Sequence, residues 1–329
     1  MPLISVTTFN CENLMMRCDF RSQRIPNLSR LLTNIADPAK AEEVDAVFDV
    51  LSEDDRTLTA KVLTAARADV CILQEVENLV ALTAFHNRYL KRCDRRGYPY
   101  RMLFEGNDGR GIDVALLSRL KPVSVKSHAS LTYRDIGLDP PRDYPPEMRV
   151  FRRDCLEVTV EKSGARLTLF GCHFKSMQGG RAETSPVREA EAWAVRRLIE
   201  QRFSDPASAD WIVLGDFNDY FEVDGVPVDD CGLSPLLDGG FSVDMLTMLQ
   251  PDPLQRWTHF YAHGDVYGAL DHMFLSPALA ARNRDATVRI TRAGQPLRAQ
   301  RYQGERFGGV GWSVPKASDH CPLSVALKL

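Results

Sequence analysis

Short apolar runs that stop abruptly at a polar residue do most to limit what this chain can fold into. The clearest is Trp211-Ile-Val-Leu-Gly-Asp-Phe-Asn-Asp219, whose apolar part ends at Gly215. Such a run, bounded by a turn residue, reads as a strand buried on both faces. Val70-Cys-Ile-Leu-Gln-Glu75 is a second example, and Leu58, Val62, Leu63 and Ala66 before it carry the spacing of an amphipathic helix. A helix that feeds a buried strand is an α/β unit. Further strands are expected at Leu3–Phe9, Tyr100–Phe104, Ile112–Leu117, Cys155–Val160, Arg166–Cys172, Trp257–Tyr261, Leu270–Ser276 and Leu323–Leu329. Helices are expected at about 78–92, and from Ser185-Pro186, a good helix start, to about Arg202.

The chain has 329 residues, enough for one large domain or two smaller ones. Its net charge of -3 excludes polyanion binding by bulk charge, so any affinity for nucleic acid has to come from a local basic patch or a metal site. No apolar run approaches the roughly 18 residues needed to span a bilayer. The N-terminus shows no basic segment followed by a long apolar one, so no export signal is expected. The cysteines form no C-x-x-C pair, and Cys71 and Cys172 lie inside apolar runs. This argues against a zinc-thiolate site or a disulfide framework and makes a reducing cytoplasm the simplest compartment.

Two regions stand apart. Residues 14–54 pass from arginine-rich to acid-rich, and Leu28, Leu31, Leu32, Ile35 and Val44, Val47, Phe48, Leu51 suggest two short amphipathic helices in an insertion. Residues 282–306 carry Arg282, Arg284, Arg289, Arg292, Arg298, Arg301 and Arg306, either a phosphate-facing strip or a solvated hairpin.

The ends of the expected strands carry the chemistry. Asn10 with Glu12, Glu75, His173, Asp216 with Asn218, and Asp319 with His320 all fall there. Any one pair is as readily an Asx turn as a site. Side chains two apart on an extended chain point the same way, so each pair can face one site. Strand ends and loops are where α/β scaffolds build sites. Carboxylates and an amide without cysteine favour Mg²⁺ or Mn²⁺ over zinc. Two histidines among carboxylates add acid–base and anion-stabilising groups. Together they suit hydrolysis of a phosphate ester by activated water.

The motifs FNCEN (9–13), ILQEVEN (72–78), GCHFKS (171–176), VLGDFND (213–219), LDHMFLS (270–276) and SDHCPL (318–323) resemble, in order, those of the endonuclease/exonuclease/phosphatase superfamily, in its deoxyribonuclease I-like and exonuclease III-like nuclease branch. HFKS and W-T-x-x-Y ahead of LDH resemble its bacterial nucleases. The resemblance implies one α/β (α+β) domain over residues 1–329, a four-layer α/β/β/α sandwich of two packed mixed β-sheets flanked by helices. It implies Glu75 as main metal ligand, supported by Asn10, Glu12 and Asp319, with Mg²⁺ or Mn²⁺ as cofactor. Glu12 departs slightly from a position that is often Asp. It implies Asp216 and Asn218 aiming the water and holding the phosphate, His320 oriented by Asp271 as catalytic imidazole, and His173 as a second histidine on phosphate or leaving group. Arg153 and Lys175 are expected on substrate phosphate. Trp257 and Tyr261 are expected either to stack on bases or simply to pack in a strand. The expected activity is metal-dependent phosphodiester hydrolysis of DNA or RNA. The alternative is the same chemistry on a small phosphoester of inositol phosphate or sphingomyelin type. A non-catalytic binding member is disfavoured, because every matched position is filled.

Overall fold

Alternation along the buried strands dictates the layering. In β1 (Leu3–Leu14), Ile4 and Val6 point one way and Phe9 and Cys11 the other. A strand apolar on both faces must be covered on both. The computed structural model describes residues 1–15, 18–20, 48–50 and 53–329. The other strands, in chain order, are β2 (Cys18–Phe20), β3 (Phe48–Val50), β4 (Val70–Val76), β5 (Tyr100–Leu103), β6 (Asp113–Ser118), β7 (Pro122–Ser127), β8 (Cys155–Lys162), β9 (Ala165–His173) and β10 (Trp211–Asp216). They continue with β11 (Glu222–Val223), β12 (Val226–Pro227), β13 (Val243–Asp244), β14 (His259–Tyr261), β15 (Val266–Gly268), β16 (Asp271–Leu275), β17 (Arg289–Ile290) and β18 (Leu323–Lys328). The helices that matter here are α1 (Glu53–Ala66), α2 (Leu79–Phe85), α3 (Arg181–Arg202) and α4 (Pro277–Arg282).

The strands form two six-stranded sheets, ordered β17-β18-β1-β4-β6-β5 and β13-β16-β10-β9-β8-β7, with three two-stranded ribbons beside them. Both sheets are mixed, with β1–β4 and β9–β10 as parallel pairs and antiparallel neighbours around them. Parallel neighbours need a crossover, and α1 and α3 lie in the two crossovers. The inner faces meet through Ile4, Ile72, Leu116, Leu169, Ile212 and Met273. The outer face of the first sheet, through Phe9, Cys71 and Leu117, packs on Leu58 and Leu63 of α1 and Leu82 of α2. The outer face of the second, through Phe170, Trp211 and Phe274, packs on Val195 and Ile199 of α3. This is the expected four-layer α/β/β/α sandwich, with each fully buried Leu or Ile contributing about 1.5–3 kcal/mol.

Two expectations change. The helix expected from Ser185 starts a turn earlier, at Arg181. Its first turn is braced by side chains, Thr184 Oγ1 donating to the Gly180 carbonyl at 2.7 Å and Arg188 Nη2 to that of Arg181 at 2.8 Å, and Pro186 lies inside the helix. Most of the helical insertion expected over 14–54 lies outside the described residues. Where it is described, Phe48–Val50 pairs antiparallel with Cys18–Phe20, because ladder partners satisfy the backbone there. The helical spacing of Val44, Val47, Phe48 and Leu51 therefore does not carry through Phe48.

The polar strand ends come out together. Asn10 and Glu75 lie towards the C-terminal ends of β1 and β4, and His173 and Asp216 close β9 and β10. Asp271 opens the antiparallel β16, and Asp319 and His320 lead into β18, antiparallel to β1.

Candidate active site

Register places three titratable groups abreast. Asp216 stands opposite His173 on one side and opposite Asp271 on the other. Neighbouring strands lie about 4.8 Å apart, so the three side chains share one edge. The approach of β9 to β10 requires the glycine before Asp216, since a Cβ on Gly215 would sit 2.0 Å from the Cys172 carbonyl oxygen. The first sheet presents its groups by irregularity instead. The β1–β4 and β4–β6 registers both shift around Glu75. Glu12, Asn13, Glu75 and Asn218 all have left-handed φ, at 49°, 59°, 61° and 50°. Such residues cost on the order of 1–3 kcal/mol each and gather at functional sites.

Asp216 is the hub. Its Oδ2 accepts from Asn10 Nδ2 at 2.9 Å, which ties the two sheets together, and lies 3.5 Å from His173 Nε2 and 3.8 Å from His320 Nε2. Its Oδ1 accepts from the Asn218 backbone N–H at 2.8 Å. The Asn218 side chain donates to the Phe174 carbonyl at 3.1 Å, so this residue braces the Asp216 loop. His320 Nδ1 pairs with Asp271 Oδ2 at 2.7 Å, which turns Nε2 towards Asp216. Asp271 is itself fixed, its N–H donating to Thr258 Oγ1 at 3.1 Å. The His320 N–H donates to Ser318 Oγ at 3.0 Å, and that hydroxyl donates to the Asn10 carbonyl at 2.8 Å.

This packing sets the charges. Burial, with the Asp271 charge, pushes Asp216 up to about 6, although His320, Asn10 and Asn218 pull the other way. Burial opposes charge on His320, but Asp271 and then Asp216 win and raise its pKa well above the ordinary imidazole value. His173 goes the opposite way: burial, then the charges of Arg153, His320 and Arg110, hold it well below. The site therefore pairs a cationic with a neutral imidazole around one carboxylate.

On the other flank, Glu12 is fully engaged. Its Oε1 meets Lys316 Nζ at 2.7 Å and its Oε2 accepts from the Asp319 N–H at 2.9 Å. Glu75 is half-buried and accepts from the Asn13 N–H at 2.9 Å through Oε2. Burial pushes Asp319 upward, but His259, His320 and Lys316 hold its carboxyl well below the usual carboxylate range. Glu75 and Asp319 are oxygen donors of the kind a hard divalent cation takes. Glu12, with both oxygens committed, fits a bracing role instead. A cavity of about 200 Å³ opens beside it, lined by Cys11, Glu12, Asn13, Asp55, Arg56 and Lys316.

The expected substrate contacts divide. Arg153 is buried with Nη1 on the Phe174 carbonyl at 2.8 Å and Nε 2.8 Å from Asp108 Oδ2, and it acts on the site through its charge beside His173. Lys175 Nζ folds onto its own loop, 3.0 Å from the Ser176 carbonyl. Trp257 takes the packing alternative: it is 3% exposed, with the Arg292 guanidinium 4.3 Å over its ring and Tyr267 against its edge. Tyr261, on the β14–β15 ribbon, is 53% exposed. The arginines of 282–306 are also largely committed. Arg282 pairs with Asp210, Arg298 with Asp265 and Arg301 with Asp224, while Arg289, Arg292 and Arg306 donate to backbone carbonyls. They brace loops rather than form a phosphate-facing strip.

Sequence reasoning passed over His259 and Lys316. The His259 ring centroid lies 4.6 Å from that of His320, and its Nε2 is 3.8 Å from Asp319 Oδ2. A titratable residue in a strand just ahead of LDH, and a lysine three before Asp319, were the available signals.

The fold and site define a class: a four-layer sandwich with a His–Asp cluster and carboxylates at the strand ends. The chain belongs to the Endonuclease/Exonuclease/phosphatase family, whose model matches residues 8–320. No curated protein sequence matches it. Among solved structures it is similar to human Nocturnin's catalytic domain with bound sulfate anion, at 15% identity, TM-score 0.56, covering 99% of this chain and 94% of that one. It is also similar to D. rerio TDP2 complexed with single strand DNA product, at 16% identity, TM-score 0.52, covering 99% of each chain. A third is the endonuclease/exonuclease/phosphatase from Beutenbergia cavernae, at 15% identity, TM-score 0.55, covering 99% of this chain and 72% of that one. At these identities the likeness speaks to the fold. Among the described residues no helix is long and apolar enough to cross a membrane.

Proposed function

We propose that this protein is a divalent-cation-dependent phosphodiesterase acting on DNA or RNA. The observation that carries the reading is Asp216, a buried carboxylate raised to about 6 and surrounded by Asn10, His173 and His320. A carboxylate poised near neutrality suits a general base. His320, cationic and held by Asp271, is better suited to stabilise the developing phosphoryl oxyanion than to take a proton, so Asp216 is assigned the water proton. Neutral His173 is assigned a hydrogen bond to the phosphate or the leaving oxygen. Asn10 and Asn218 keep Asp216 in place. When bound, Mg²⁺ or Mn²⁺ would draw charge from the non-bridging phosphate oxygens, with Glu75 and Asp319 as the residues to hold it. The single-stranded DNA held by the D. rerio relative supports a nucleic-acid substrate.

The carboxylate pairing of Arg282, Arg298 and Arg301 favours a second reading, a small phosphoester, because it weakens the charge argument for a polyanion. A substrate panel decides: plasmid, single-stranded DNA, RNA, abasic duplex, inositol phosphates and sphingomyelin, each in Mg²⁺, in Mn²⁺ and in EDTA. The expected result is nucleic-acid cleavage that EDTA abolishes and that Asp216→Asn and His320→Ala lower by on the order of a hundredfold or more. Intact nucleic acids beside a hydrolysed small phosphoester would sink the nuclease reading.

A further inference from the structure

We infer that His259, Asp319 and His320 form a second cation site, one that shares Asp319 with the ion proposed at Glu75 but takes its other donors from two imidazoles, and so is suited to a borderline transition-metal ion such as Zn²⁺ or Co²⁺ rather than Mg²⁺. One donor atom from each of the three lies within 4.8 Å of the others. His259 Nε2 and Asp319 Oδ2 are 3.8 Å apart, too far for a hydrogen bond. Two ligands at about 2.1 Å from one tetrahedral ion stand about 3.4 Å apart, so a small closure brings this pair onto a shared metal. His320 Nδ1 is committed to Asp271, which leaves Nε2 as its ligating nitrogen. A carboxylate behind a ligating imidazole is a common arrangement at metal sites, since it fixes the ring and raises its basicity.

The cluster is built, not a chance approach of loops. His259 and His320 face each other across an antiparallel bridge. The Phe260 N–H donates to the Asp319 carbonyl at 2.9 Å, and the Cys321 N–H to that of Thr258 at 2.6 Å. The backbone thus presents all three side chains from two paired segments. The donor types decide the ion: two imidazoles and one carboxylate favour Zn²⁺ or Co²⁺, whereas Mg²⁺ demands oxygen and keeps its water.

On the proposed function, occupancy has a consequence. The ion takes the nitrogen of His320 that phosphoryl transfer needs, so Zn²⁺ inhibits. The test needs no substrate, so its outcome is independent of whether the chain is a nuclease. Co²⁺ is titrated into the full chain in excess Mg²⁺ and followed by its visible d–d bands, with Zn²⁺ affinity read by competition against a chromophoric chelator. A Cys93→Ser background removes the exposed thiol among the described cysteines. The expected result is one equivalent bound without a sulfur-to-cobalt charge-transfer band, weakened at least tenfold by His259→Gln and by Asp319→Asn, and retained in Glu75→Gln. His259→Tyr, which removes the nitrogen and keeps a ring, guards against misfolding of His259→Gln, and melting temperatures in chelator report on folding. Binding unchanged by both His259 variants, equal loss in Glu75→Gln, or a thiolate band overturns the inference.

Discussion

At the scale of the residue, the informative contrast is between two histidines a few ångströms from one carboxylate. His320 is raised by Asp271 and Asp216, while His173, without a comparable pair and facing Arg153 and Arg110, is lowered. Environment, not residue type, divides the roles. With Asp216 as base, its deprotonated form is the active one. kcat/KM should therefore fall about tenfold per pH unit below an apparent pKa near the value of about 6 that burial gives Asp216, and rise to a plateau above it. A profile flat from pH 5 to 8 would rule Asp216 out as the titrating base. Asp271→Asn should lower the His320 pKa, because the neutral amide no longer supports an imidazolium at 2.7 Å. Imidazole NMR titration reads this directly, and an unmoved His320 resonance would show that Asp271 does not hold the charge.

At the scale of the element, the site depends on how strands begin and end. β6 opens on Asp113, buried, with its Oδ1 accepting from the Gly106 N–H at 2.8 Å. This hydrogen bond makes Asp113 the anchor of the turn before β6. Burial raises its pKa to about 6, above the unfolded value near 3.9. Its contribution to stability is therefore full below the unfolded pKa and is lost as pH rises through about 6. Asp113→Asn keeps an acceptor for Gly106 and removes the penalty. It should raise stability by about 1–3 kcal/mol at pH 8 and change it little at pH 4, as read by urea denaturation. Equal effects at both pH values would contradict this account. The ends of elements were also where sequence reading went astray: the first turn of α3 is braced by its own Thr184 and Arg188 side chains, and β3 takes its ladder partner from Cys18–Phe20.

At the scale of the whole molecule, the two sheets have to approach closely for Asn10 to reach Asp216. Gly171 sets that approach: a Cβ there would lie 2.6 Å from Ile72 Cγ2 on the facing sheet. Gly171→Ala should destabilise by about 1–3 kcal/mol through overpacking. Ile72→Ala in the same chain removes the clashing atoms, so the double variant should be less destabilised than the two single costs added together. Strict additivity in denaturant unfolding would mean that the sheets do not meet at this point.

Sequence alone settled the parts that are written locally. Two-sided apolar strands demand layers above and below, which made the α/β reading, and a polar residue closing each run marked where chemistry belongs. Asp216 with Asn218 and Asp319 with His320 stood out only as a set of polar groups at strand ends, and the pairing of His320 with Asp271 came from the family resemblance. What local sequence leaves open is which distant groups meet. Glu12 turned to Lys316, Trp257 covered by Arg292, and the arginines of 282–306 spent on loops are all set by partners far along the chain or brought near by folding. The same holds for His259, placed against His320 by a backbone bridge across some sixty positions of sequence. Charge and reactivity follow from burial and neighbours, and neighbours exist only once the sheets have packed.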